Sequence, residues 1–251
     1  MNLADLTWVD AKEAIKQAKV ALLPVGATEN HGPHLPLGTD TFTAQRIAEQ
    51  AAEKGGWLVL PGVPVGVSEH HRQFWGTLWV PPDVLRDYVV AVSRALASHE
   101  MRRVVFVNGH GGNRSALTEA ARLLRQEAIF AHVHNWWLGK TDALDTLFAG
   151  PAVHAGPVET SAILAIDPSL VRQDRYKDAS TVDRWGITVE GVEVGWDTID
   201  FSEAGNVGDP STGTADKGAK LFEVAAENLN RFCTWLSEQT DEALSPKPHK
   251  P

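Results

Sequence analysis

The chain has 251 residues, 43% of them hydrophobic, with 32 acidic against 23 basic side chains and a formal net charge of −9. That charge argues against a surface for nucleic acid or for an anionic membrane, and no apolar run reaches the roughly 18 residues of a membrane-spanning helix. Its one cysteine, Cys233, leaves no disulfide framework and no thiolate metal site, which together with a polar start lacking a signal-peptide pattern predicts a cytoplasmic protein.

Residues 10–19 carry Ala11, Ala14, Ile15 and Ala18 at helical spacing and predict a first helix. The apolar run 20–25 predicts a buried strand. It opens onto Gly26-Ala27-Thr28-Glu29-Asn30-His31-Gly32-Pro33-His34-Leu35-Pro36-Leu37-Gly38-Thr39-Asp40, a stretch rich in carboxylates and imidazoles on backbone that cannot continue a strand. Glu29 and His31 are two apart, so on extended backbone they point the same way, and Asp40 follows a loop long enough to fold back on them. This combination predicts a metal site. His34 follows Pro33 and reads as a loop-packing residue.

A helix is predicted over 41–54, stopped by Gly55-Gly56. Residues 57–67 read as a short strand running into a loop, broken by Pro61, Gly62, Pro64 and Gly66. The polar cluster Ser68-Glu69-His70-His71-Arg72-Gln73-Phe74-Trp75-Gly76-Thr77 follows. On extended backbone the adjacent His70 and His71 point oppositely, so one of them faces the site, and His71 is the candidate. An amphipathic helix is predicted over 83–100, with Pro82 near its first turn.

Residues 103–107 form the strongest buried strand and run into Asn108-Gly109-His110-Gly111-Gly112-Asn113, followed by a helix over 115–126. A dinucleotide fingerprint starting at Gly109 needs glycine at 114, which is Arg, and the Lys of a P-loop is absent. His110 is therefore a ligand or catalytic candidate on a tight turn. A strand over 128–134 ends in Asn135-Trp136-Trp137, where the two indoles can wall a pocket. Residues 138–151 read as irregular. His154 and Glu159 then precede a short apolar helix over 162–166; Glu159 reads either as a site carboxylate or as a dipole-stabilised helical Glu. Residues 186–194 alternate as a strand, 202–213 form a loop, and a last helix covers 215–239. A single domain over 1–244 with a disordered tail over 245–251 is expected.

Strands alternating with helices predict an α/β fold, layered α/β/α around a mostly parallel central sheet. In such folds ligands bind beyond the carboxyl ends of the strands. The clusters at 29–40, 69–71, 108–113, 136–137 and 154–159 all fall there. A His-rich set with carboxylates and no cysteine suits Zn first, then Mn or Fe(II), over Mg or Ca. Neither H-E-x-x-H nor G-x-S-x-G is present, so metal-assisted hydrolysis is the leading class.

The segments GATENHGPHLPLGTD, NGHGGN and HAGPVETS, in this order, together with EHHRQFWGT and SEAGNVGDPSTGTADKG, resemble the creatininase (creatinine amidohydrolase) family over nearly the whole chain. The resemblance implies a metal-dependent C–N hydrolase of layered α/β fold, assembled as a homo-oligomer, commonly a hexamer. It also implies two divalent ions per chain. Glu29 and His110 resemble the ligands of one ion, His31 that of the other, Asp40 the bridging carboxylate, and Glu159 a ligand that completes the second ion's shell. His154 resembles the histidine proposed to shuttle protons. Two departures stand out: Gly111 and Gly112 replace the Tyr and Glu of creatininase, and position 150 is Gly where creatininase has Trp. These bring the chain closer to the formamide-hydrolase and mycofactocin-type peptide-processing branches.

The expectation is hydrolysis of a small-molecule or short-peptide amide through a metal-activated water. His154 and Glu159 are the catalytic candidates, and His71, Trp136, Trp137, Gly111 and Gly112 the substrate-binding ones. A mononuclear deformylase or peptidase acting on a biosynthetic precursor, and a non-catalytic binding protein on the same fold, are the alternatives.

Overall fold

Four parallel strands form the centre of the molecule, seen in a computed structural model that describes residues 1–138, 146–148 and 153–250. The expectations for 139–145 and for 149–152, Gly150 included, lie outside the described residues, as does Pro251. In chain order the elements are α1 (Trp8–Gln17), β1 (Ala21–Val25), α2 (Thr39–Gly55), β2 (Leu58–Val59), α3 (Pro82–Ala97), β3 (Arg103–Asn108), α4 (Arg114–Arg125) and β4 (Phe130–Asn135). They continue with α5 (Pro157–Ile166), the hairpin β5 (Thr188–Val189) and β6 (Val192–Glu193), α6 (Ala215–Glu238) and α7 (Asp241–Leu244). The sheet order is β2-β1-β3-β4.

Alternation along the strands divides the core in two. Leu22, Val105 and Val107 point to one face and pack with Ala44, Ile47 and Ala48 of α2 and with Leu221, Phe222 and Leu229 of α6. Ala21, Leu23, Val104 and Phe106 point to the other and pack with Ala14 of α1, Leu85 and Val89 of α3, and Leu117 and Leu124 of α4. A strand buried on both sides needs apolar residues at successive positions, which is why 20–25 and 103–107 read as unbroken apolar runs. Burying a side chain such as Phe106 contributes roughly 1.5–3 kcal/mol. Among the described residues, no helix is long and apolar enough to cross a membrane.

Pro24 sits inside β1, a position that ordinarily costs a ladder hydrogen bond. Leu22 and Pro24 offer their carbonyls to Leu60 and Val63 on the β2 side. The missing N–H of Pro24 therefore faces the detour through Pro61-Gly62, where regular pairing has already stopped.

The segment 186–194 is a hairpin rather than one strand. Glu190 and Gly191 both take positive φ, 49° and 79°, the backbone of a tight two-residue turn that matches strand twist. All four of its strand residues are exposed. α5 starts five residues earlier than its apolar stretch indicates, with Pro157 in its first turn. Residues 246–250 have no regular structure and are exposed.

Candidate metal centre

The carboxyl ends of β1 and β3 and the N-terminal turns of α2 and α5 converge. β1 delivers Glu29 and His31 through the loop that follows it, and β3 delivers His110 two residues past its end. Asp40 and Glu159 lie in the first turns of α2 and α5, where the helix dipole favours a carboxylate. Glu29, His31, Asp40 and His110 are all buried. The approach of the β3 loop to α2 depends on Gly109: a Cβ there would lie 2.2 Å from the Asp40 carbonyl oxygen.

Each histidine has one ring nitrogen committed to the backbone. His110 Nε2 lies 3.0 Å from the Val67 carbonyl, and His31 Nδ1 lies 3.2 Å from the Glu29 carbonyl. A carbonyl only accepts, so these nitrogens carry the protons and the opposite nitrogens turn toward carboxylates. His110 Nδ1 lies 3.2 Å from both Glu29 Oε1 and Asp40 Oδ2. His31 Nε2 lies 3.0 Å from Asp40 Oδ1 and 3.7 Å from Glu159 Oε2. The two oxygens of Asp40 are thus divided between two imidazoles, as a bridging carboxylate requires. Glu29 Oε1 and Oε2 and Asp40 Oδ2 are buried without a hydrogen-bond partner, which is costly unless a cation meets them.

The electrostatics agree. Burial pushes the Glu29 carboxyl up, but neighbouring His110 outweighs it and holds it at about 2. Burial likewise opposes ionisation of Asp40, and His31 with His110 still keeps it below its usual range. Burial would lower His31, yet Asp40 and then Glu159 raise it to about 10. His110 is raised well above its ordinary value against its burial, by Glu29 first. Glu159 is pushed up by burial and by the Asp40 charge, despite the opposing pull of His31. The carboxylate cluster demands positive charge, and Glu29, His110 and Asp40 on one side and His31, Asp40 and Glu159 on the other could hold divalent ions. Imidazole nitrogens with carboxylate oxygens and no thiolate suit Zn, Mn or Fe(II).

His154 stands beside the cluster, its ring centroid 4.4 Å from that of His31. Its Nε2 lies 2.8 Å from the Asn30 carbonyl, leaving Nδ1 3.7 Å from Glu29 Oε1. Burial lowers its basicity well below the usual value. A cavity of about 520 Å³ opens over these groups, walled by Trp136, Trp137, Trp185, Trp196, Val153 and His70, with Gly111 and Gly112 at its edge.

Of the expected substrate-contacting residues, Trp136, Trp137, Gly111 and Gly112 line this cavity. His71 does not. Residues 69–71 form a 3-10 turn rather than extended backbone, so His71 turns inward. It is fully buried, with Nε2 3.6 Å from Glu29 Oε1 and 3.5 Å from Thr198 Oγ1, and His70 takes the cavity wall. His34 packs with Nε2 3.2 Å from Thr160 Oγ1, and burial lowers it to about 4. Trp185 and Trp196, which flank the hairpin, were not singled out in the sequence. The available signal was two indoles bracketing the alternating segment 186–194. Asn113 was also missed: it donates to the Gly26 carbonyl at 2.9 Å, accepts from the Val67 N–H at 2.9 Å, and ties together the three loops that carry the site.

Fold and site together define an α/β protein whose strand ends carry a His–carboxylate centre suited to divalent metal. The sequence model of the family described as "Creatininase: Creatinine amidohydrolase" matches residues 4–233, and the chain belongs to that family. It is 37% identical over 227 residues to the mycofactocin precursor peptide peptidase of Mycolicibacterium smegmatis, covering 88% of this chain and 87% of that protein. It is 27% identical over 247 residues to the creatinine amidohydrolase of Pseudomonas putida, covering 90% and 94%. A solved structure described as "Creatininase Mn" superposes with a TM-score of 0.83 at 26% identity, covering 95% of this chain and 99% of that one. A mutant creatininase of "Zn-Zn type" gives the same TM-score at 27% identity, covering 95% and 98%.

Proposed function

We propose that this protein is a metal-dependent amidohydrolase that cleaves an amide C–N bond of a short peptide or comparable small molecule at a two-ion centre. The observation that carries the reading is the divided Asp40 carboxylate, with its two flanking histidines each holding one ring nitrogen on a backbone carbonyl and turning the other toward the carboxylates. Glu29, His110 and Asp40 would hold one ion, and His31, Asp40 and Glu159 the other. Bound there, such ions supply Lewis acidity that polarises a carbonyl and acidifies a water.

The chain's own groups do the rest. His154 keeps its Nε2 proton on the Asn30 carbonyl, so Nδ1 is the atom that takes a proton from the attacking water. The same atom returns it to the leaving nitrogen, which departs as an amine while the acyl half leaves as a carboxylate. Four indoles supply much of the cavity wall. Its volume of about 520 Å³ falls in the range of sites for drug-sized ligands. At Gly111 a Cβ would meet nothing within 4 Å, which leaves that wall open to an extended substrate. Together with the 37% identity to a precursor-peptide peptidase, this favours a short-peptide amide over creatinine. We also infer a homo-oligomer, supported by Trp75 and Trp8, which are 98% and 81% exposed.

The test is a hydrolysis panel of creatinine, N-formyl amines and short peptides, run with metal-loaded and chelator-stripped protein. Metal-dependent release of an amine from at least one amide is expected. Absence of turnover across the panel at full metal loading, or turnover that survives stripping, overturns the reading.

A further inference from the structure

His70 differs from the other imidazoles of the site in how it is held. His110, His31 and His154 each commit one nitrogen to a backbone carbonyl, the arrangement typical of histidines fixed toward a metal or a proton path. Among the described residues His70 is held by rings instead. It lies parallel to His110, 5.6 Å centroid to centroid and 10° between planes. The rings of Trp185 and Trp196 meet it nearly at right angles, at 6.0 and 5.9 Å. The two indoles stand on either side of the exposed hairpin, and Phe201 packs against both, at 5.2 and 5.0 Å. Gly186, at φ +78°, allows this closeness, since a Cβ there would sit 2.9 Å from Trp196 Nε1.

This cage fixes the plane of the His70 ring and leaves its N–H without a hydrogen-bond partner among the described residues. The ring forms part of the cavity wall. One of its nitrogens lies within 4.8 Å of the facing atoms of Glu29 and His110. His70 therefore borders the Glu29–His110 half of the centre, whereas His154 stands near both Glu29 and His31. An imidazole presents an N–H in either charge state, so the role that follows does not depend on its titration.

Resting on the amidohydrolase reading above, we propose that His70 is a catalytic residue that donates a hydrogen bond to the carbonyl oxygen of the scissile amide as that oxygen gains negative charge, with Trp185 and Trp196 as its positioning residues. No bond to His70 forms or breaks and no proton leaves it; the donor strengthens its contact as the carbonyl carbon becomes tetrahedral. Preset donors of this kind act in the transition state more than in the bound substrate.

The test compares His70→Ala and His70→Gln with wild type in the metal-loaded enzyme. Three quantities are read: metal per chain, kcat and KM on the best amide of the panel, and calorimetric affinity for a phosphinic dipeptide that mimics the tetrahedral state. Both variants are expected to keep the wild-type metal content. His70→Ala should lower kcat by about 100-fold with KM changed less than threefold, and should weaken the phosphinic dipeptide at least tenfold. His70→Gln, which keeps an N–H, should recover a substantial part of both. Loss of metal in His70→Ala makes the residue a ligand and overturns the proposal, as do an unchanged kcat or a Gln variant no better than Ala. If wild type turns over no amide, the amidohydrolase reading fails separately and the phosphinic dipeptide decides for His70: equal affinity in wild type and His70→Ala, or no binding to wild type, overturns it.

Discussion

Replacing Asn113 by Ala tests whether one buried amide holds the loops of the centre in place. Asn113 is fully buried. Its side chain donates to the Gly26 carbonyl, accepts from the Val67 N–H, and lies 3.3 Å from Asn108 Oδ1. Asn108 Oδ1 keeps the His110 N–H at 3.1 Å, so truncation orphans two backbone groups, the Gly26 carbonyl and the Val67 N–H. At about 1–3 kcal/mol for each unsatisfied buried group, Asn113→Ala should cost about 2–6 kcal/mol, a large part of the 5–15 kcal/mol typical of a folded domain. Urea unfolding followed by circular dichroism reads this as a lower midpoint at unchanged slope. Gly26 leads into the Glu29 loop and Val67 supplies the acceptor for His110 Nε2, so metal affinity should fall as well. Asn113→Asp keeps the acceptor but sets a carboxylate against the Gly26 carbonyl, and should be no better. A loss below 1 kcal/mol with metal affinity intact refutes the argument.

His154→Ala should keep the bound metal and lower kcat by about 10²- to 10⁴-fold; full activity removes His154 from the proton path, and metal loss makes it a ligand. Gly109→Ala drives a Cβ against the Asp40 carbonyl and should cost about 1–3 kcal/mol, seen as a fall in Tm together with weaker metal binding; an unchanged Tm contradicts the close approach. Burial pushes the Cys233 thiol up to about 12. With its folded pKa above the unfolded value, it contributes stability that is complete below about pH 8.5 and is lost as the pH rises toward the folded value. Native protein at pH 8 should therefore resist alkylation by iodoacetamide until it is unfolded, and prompt labelling of the native state refutes the burial.

Much of this architecture was legible because the sheet is parallel and covered on both faces. Strands such as 20–25 and 103–107 then have no polar side, and Gly or Pro marks where each one hands over to a loop. The candidate centre could be read for a related reason: Glu29, His31 and His110 follow strand ends, Asp40 and Glu159 lie in first helical turns, and His154 lies in the turn just before α5, close to where the fold class itself places ligands. What failed was local backbone geometry. His71 was placed at the wall on the premise of extended backbone, and a 3-10 turn exchanged it with His70. The hairpin at 188–193 has no buried face, so its alternation carried no information about where the chain reverses. Trp185 and Trp196 pack with nearby Phe201 and meet His70, a partner far away in the sequence that no periodic pattern links to them. Asn113 reads as an ordinary turn residue, because its importance lies in three loops meeting at one amide.

The central claim is a carboxylate shared between two cation sites, and elemental analysis of the purified protein after loading with Zn, Mn or Fe(II) and removal of excess metal tests it most directly. The account predicts close to two ions per chain in wild type, both lost in Asp40→Ala. A limit of one ion per chain, or two ions that survive removal of Asp40, contradicts it.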